Sequence, residues 1–196
     1  EINNAVYSGK LKRFCESIVE CDFMERNKVF TPSDSRRMND VKLVLSIVCT
    51  MLGGYFNRDE VFESFLSNYN DEFDEEPEVL NRLEKVFEFI DECGFPLKSP
   101  IWKKVNFFSS VCELDAQFHI HRRTLSPSDV FSGLSKLLDR SENQVGPIAM
   151  MYSKAALQAS NDKSNRITRG KIIQGVILKK TPAEIRKLLK EMPILL

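Results

Sequence analysis

The two histidines of the chain stand two apart, in His119-Ile120-His121, with Arg122-Arg123 following. Imidazoles at that spacing share a face on a strand but diverge by about 200° on a helix. No third ligand pattern accompanies them, so the stretch reads as a polar helix end rather than a metal site. With no other histidine, a nucleophilic triad has few ways to exist, and no nucleophile motif serves either ring. Carboxylate pairs occur at Glu75-Glu76 and Asp91-Glu92, both in acidic segments. A general acid needs burial to raise its pKa, and these segments read as exposed. The eight glycines form neither Gly-x-x-x-x-Gly-Lys nor Gly-x-Gly-x-x-Gly, so no phosphate-cradling loop shows itself. The residues give no catalytic, cofactor-binding or metal-ligating assignment.

Charge is the stronger signal. Twenty-eight basic residues balance twenty-eight acidic ones, so no net field draws the molecule to nucleic acid or membrane. The distribution is uneven. Between Asp59 and Glu92 thirteen acidic residues face only Arg82 and Lys85, whereas between Lys163 and Lys190 nine basic residues face only Glu184. Two solvated faces explain this, but Lys163, Arg166, Arg169, Lys171, Lys179, Lys180, Arg186 and Lys187 are also the candidate nucleic-acid contacts. No interleaved aromatics are present among them for base stacking. A second cluster, Arg36, Arg37 and Asp40, is the candidate anion or domain contact, with ion pairing that orients a loop as its structural reading.

These clusters need helices to hold them. Apolar residues at Val41, Val44, Leu45, Val48 and Leu52 keep the rhythm of one helix face, and Leu43, Ile47 and Met51 add a second. A central buried helix over about 40–52 follows, ended by Gly53-Gly54. Comparable stripes run through Lys10 to Arg26, Arg58 to Tyr69, Glu78 to Glu92 and Ile101 to Ile120. Others begin after Ser126-Pro127-Ser128-Asp129 and Gly146-Pro147, and the capping box Thr181-Pro182-Ala183-Glu184 opens the last. Glu1 to Tyr7 reads as a further short helical piece. Period-2 alternation is essentially absent, so the expected fold is all-α, a bundle of about nine amphipathic helices. It divides into a helical core region, 1–142, and a basic helical subdomain, 147–196, with packing of that subdomain on the same core as the alternative. No apolar run reaches membrane-spanning length, and no signal peptide opens the chain. Five cysteines without Cys-x-x-Cys spacing suggest reduced, buried thiols in a cytoplasmic protein.

Two segments carry a resemblance. Glu1-Ile2-Asn3-Asn4-Ala5-Val6-Tyr7-Ser8-Gly9 resembles the E-I-R-N-A-x-Y-x-G stretch of the GmrSD-type restriction endonuclease N-terminal family. Arg37-Met38-Asn39-Asp40 matches the R-M-x-D stretch that opens an apolar helix further along that family. The likeness covers roughly residues 1 to 120. It implies a bacterial defence protein that hydrolyses nucleotide and cuts modified or foreign DNA. In such proteins a ParB/sulfiredoxin-like domain with an Asp-Gly-Gln-Gln-Arg motif precedes the helical region, and a His-Asn-His nuclease domain often follows. This chain departs from the pattern at Asn3, where the family has Arg, and it carries neither the nucleotide motif nor the nuclease signature. Starting at Glu1 without a methionine, it reads as an excised helical fragment. The implied role is a non-catalytic scaffold, without cofactor, that supports the missing nucleotide domain and engages DNA. The alternative is a stand-alone protein-interaction module.

Overall fold

The computed structural model describes residues 8–191, all of whose regular structure is helical. Glu1 to Tyr7, the expected short helical piece and most of the resemblance-bearing segment Glu1 to Gly9, lies outside the described residues. The N-terminal layer holds α1 (Lys10–Val19), α2 (Asp22–Arg26), α3 (Pro32–Arg36), α4 (Asn39–Gly53) and α5 (Phe62–Asn68). Next come α6 (Glu76–Cys93), a 3-10 turn (Pro100–Trp102), α7 (Lys104–Asp115) and a π-turn (Ala116–Ile120). The chain finishes with α8 (Pro127–Glu142), α9 (Pro147–Leu157), α10 (Lys163–Ile177) and α11 (Pro182–Lys190). Eleven α-helices are therefore described against the nine or so expected from periodicity. The run from Lys10 to Arg26 is split by a turn at Glu20-Cys21, and Thr31-Pro32-Ser33-Asp34 starts a helix of its own.

Local chemistry explains these breaks. The Asp34 carboxylate accepts from Thr31 N–H at 2.9 Å and from its hydroxyl at 2.7 Å, closing the first turn of α3. Met38 then takes a left-handed φ of 55°, so α3 cannot run into α4. At the other end of α4, Gly54 adopts φ 78°, a conformation that costs glycine nothing. The capping box of α11 forms as the sequence indicates, with Thr181 N–H donating to Glu184 at 2.7 Å.

The helix enclosed most completely is α7, in which every residue from Asn106 to Asp115 is buried. It packs against α4, α6 and α10. Helix α4 is the second core element, buried without a break from Val44 to Cys49 and covered by α1, α3, α5 and α7. One continuous hydrophobic core runs from Leu11 in α1 to Ile185 in α11, so residues 147–191 share it with the preceding helices. Phe23 and Phe87 stack at 4.3 Å within it, beside Trp102 and Phe107. Burial of each such side chain contributes about 1.5–3 kcal/mol.

One ion pair is sealed in this core. Arg82, one of only two cations in the acidic middle of the sequence, donates from Nε and Nη2 to Asp115 at 2.9 and 2.6 Å. Its Nη2 also reaches the carbonyl of Met51 at 3.2 Å, tying α6, α7 and α4 together. Because removing one partner strands a buried charge, Arg82→Met is expected to cost about 3–5 kcal/mol in urea unfolding. Adding Asp115→Leu should recover most of that loss, and a double variant as unstable as the single one would contradict this reading. The thiols supply a second check. Burial pushes those of Cys15 and Cys112 well up, and those of Cys49 and Cys93 to about 12. Half-buried Cys21 should therefore react first with a thiol reagent at about pH 8, the other four only as the protein opens.

Candidate anion-binding cleft

Helix α10 carries the least expected feature of the structure. Arg166 and Arg169 stand three apart, on the stripe that continues through Ile173 and Ile177, and they are only 2% and 1% exposed. The sequence reading placed them on a solvated basic face; the structure corrects this and turns both inward. The reason is that α10 is enclosed by α7, α8, α9 and α11, which leaves it little solvent-facing surface.

Neither guanidinium forms an ion pair with a carboxylate among the described residues. Arg169 is held by neutral acceptors: its Nε donates to Ser109 Oγ at 3.0 Å, and Nη1 to the carbonyls of Ala155 and Ser160 at 2.7 and 2.8 Å. Arg166 is held more loosely, with donations to the carbonyls of Phe56 and Arg58 at 3.4 and 3.3 Å. Its guanidinium lies 4.2 Å from the Phe56 ring centre and 5.0 Å from that of Phe108, a cation–π setting. Its buried Nε has no hydrogen-bond partner. Burial lowers the pKa of both groups, though from so high a value that they stay charged.

Both arginines line a cleft of about 480 Å³ between the first turns of α4, the start of α7 and the α9–α10 turn. Its other cations are Lys42 and Lys104, paired with Asp59 and Asp34, and Asp59 is the single carboxylate among the lining residues. Asn39, Ser46, Ser160 and Asn161 add polar groups. The far wall is fixed by the Arg58 N–H donating to the Asn161 carbonyl at 2.8 Å and by Arg58 pairing with Asp162 at 2.8 Å. With Asp34 and Asp59 neutralising the two lysines, the two arginines leave an excess of positive charge complementary to an anion, and the planar guanidinium suits phosphate or carboxylate oxygens.

The remaining sequence candidates are dispersed. Arg36 and Arg37 are exposed on α3 and its end, and buried Asp40 accepts from the Val41 N–H at 2.7 Å, inside the first turn of α4. Asn39, beside them in sequence, does line the cleft. Lys179 pairs with Asp129 at 2.6 Å, and with Lys180 and Arg186 it borders a separate groove. Lys163 and Lys171 are half-buried, and Lys187 is exposed. Of the histidines, His119 lies 3.4 Å from Glu78 and His121 is exposed. No group of three or more metal-ligating side chains comes together among the described residues.

A buried carboxylate, which the exposed acidic segments of the sequence do not indicate, is present. Glu113 is enclosed beneath α10, accepts from the Tyr55 hydroxyl at 2.7 Å, and has its pKa raised by burial. A Cβ at Gly170 would collide with this pair, which is why α10 has glycine there. Nothing in the helical stripe of Ile101 to Ile120 marks Glu113 as inward-facing, because its burial depends on α10 packing over α7. Comparison of the chain with protein families, with curated proteins and with solved structures finds no match.

Asp34, beside the cleft, gives a pH-dependent test. Burial alone would raise its pKa, but hydrogen bonds from Lys104 and Thr31 outweigh that and hold it at about 2. A depressed folded-state pKa gives stability that is present above the unfolded value near 4 and lost as pH falls towards 2. Asp34→Asn is therefore expected to be about 1–2 kcal/mol less stable at pH 7, with the gap closing between about pH 4 and 2 in acid titrations followed by circular dichroism. A gap that persists unchanged at pH 2 would contradict the assignment.

Proposed function

We propose that this chain is a non-catalytic helical scaffold that binds a phosphate-bearing ligand in the cleft between α4, α7 and α10. The observation that carries the reading is the pair of buried guanidinium groups with no carboxylate partner, opening onto a pocket that also holds Lys42 and Lys104. Burying an uncompensated cation is costly, and a bound anion offsets that cost. Binding rather than turnover is favoured because the lining offers donors and one ion-paired carboxylate, Asp59, and no histidine or cysteine.

The resemblance to the GmrSD-type family extends the proposal. In that reading the chain is the helical region of a bacterial restriction, or phage-defence, protein, working in the cytoplasm beside a ParB-like nucleotide-hydrolysing domain. Arg37 and Asp40, which match the family's second motif, adjoin Asn39 at the cleft mouth, so the ligand is then a phosphate presented by the neighbouring domain. DNA contact, within the same reading, falls to Lys163, Lys171 and Lys187, which do not line the groove bordered by Lys179, Lys180 and Arg186. A second reading, a stand-alone protein-interaction module, is favoured by one observation: exposed apolar side chains concentrate on and just before α9.

Calorimetric titration of the whole chain with pyrophosphate at about 50 mM salt tests the cleft directly. Binding is expected, with the Lys42→Gln/Lys104→Gln variant weaker by about tenfold or more, equivalent to roughly 1.4 kcal/mol. The chain alone should not hydrolyse ATP or GTP. Equal affinity in a folded double variant, or nucleotide turnover abolished by a point substitution in the chain, would overturn the proposal.

A further inference from the structure

On the face formed by the last four helices lies a second concavity, a groove of about 610 Å³. Close helix packing shapes it. A Cβ on Gly133 of α8 would come within 2.9 Å of Val176 on α10, and one on Gly175 within 2.5 Å of Ile185 on α11. Small residues at both places let the three helices approach and leave a continuous apolar floor that includes Leu137, Val176 and Ile185. The apolar surface does not stop there. Val145, at the groove edge, is 48% exposed, and Met151, one turn beyond Pro147 on the same face of α9, is 40% exposed. Of the six exposed large apolar side chains among the described residues, four lie between Val145 and Leu157. Val145 and Met151 extend the groove's apolar surface outward, whereas Leu157 lines a different cavity, beside Leu138 and Ala156.

The rim is basic. Five cations border the groove against one carboxylate, Asp129, which is already paired with Lys179. Lys136, Arg140, Lys180 and Arg186 form no ion pair with a carboxylate among the described residues. No aromatic residue lines the groove, so it has no platform on which bases could stack. An apolar trough with a cationic rim complements a helix whose apolar stripe is flanked by carboxylates. From this we infer that the groove between α8, α9, α10 and α11 docks an acidic amphipathic helix of a partner protein. This site is separate from the anion cleft and does not depend on it.

The test uses the full chain and a designed helical peptide with leucines at i, i+3, i+4 and i+7 flanked by glutamates, followed by fluorescence anisotropy at about 150 mM salt. Binding with Kd of about 1–50 μM is expected, and a scrambled peptide of the same composition should bind at least about tenfold more weakly. Lys136→Glu/Arg186→Glu, both at exposed positions, should cost about tenfold while leaving pyrophosphate binding unchanged. The inference is overturned if the scrambled peptide binds equally well, or if no binding appears up to about 500 μM. It is also overturned if duplex DNA displaces the peptide and binds more tightly at that salt.

Discussion

Two guanidinium groups buried against α7 without a carboxylate set the terms for much of this structure. A charge removed from water must be compensated, and here carbonyls, a serine hydroxyl and aromatic faces do so only in part. Arg169 is satisfied by the Ala155 and Ser160 carbonyls, which fixes where α9 ends and how the α9–α10 turn runs. Arg166 is left with two long hydrogen bonds, two aromatic faces and an unpartnered Nε. The arrangement makes the cleft electropositive at its base, where the dielectric is lowest and an anion gains most.

Helix α7 joins that cleft to the rest of the fold. Its Asp115 receives Arg82 from α6, its Ser109 receives Arg169 from α10, and its Glu113 receives Tyr55. Each polar group on this buried helix has a partner from a different element, with the exception of Ser110, whose hydroxyl has none. Polar contacts of this kind fix register more than they add stability, because apolar replacements of whole pairs are often neutral. The acidic side of the molecule and the basic side are thus connected through one helix. No helix among the described residues is long and apolar enough to cross a membrane.

Much of the fold was legible. Periodicity showed the helices, and the caps at Ser126 and Thr181 located two starts because hydroxyl and carboxylate spacing is a local property. The short α2 reads as a continuation of α1, and α3 as a loop and cap, since five residues hold too little periodicity to stand apart. The site was harder to read. Arginines are usually exposed, so composition put Arg166 and Arg169 on the surface, although both keep step with Ile173 and Ile177 on an inward stripe. Only the packing of four helices around α10 decides that their charge faces in. Lys42 and Lys104 come from helices distant in sequence, and nothing local announces that they meet.

Natural proteins keep binding groups that weaken the empty fold, and in the proposed reading Arg166 is such a group. Its weak hydrogen bonds mean that methionine, of similar length and able to pack between Phe56 and Phe108, should replace it without loss. The most direct measurement is thermal unfolding of the natural protein and Arg166→Met with and without sulfate, at ionic strength matched with chloride. The account predicts that the variant without sulfate is at least as stable as the natural chain, and that sulfate raises the unfolding temperature of the natural chain by clearly more than the general salt effect seen in the variant. A variant that unfolds several degrees lower yet keeps the full sulfate response would contradict it.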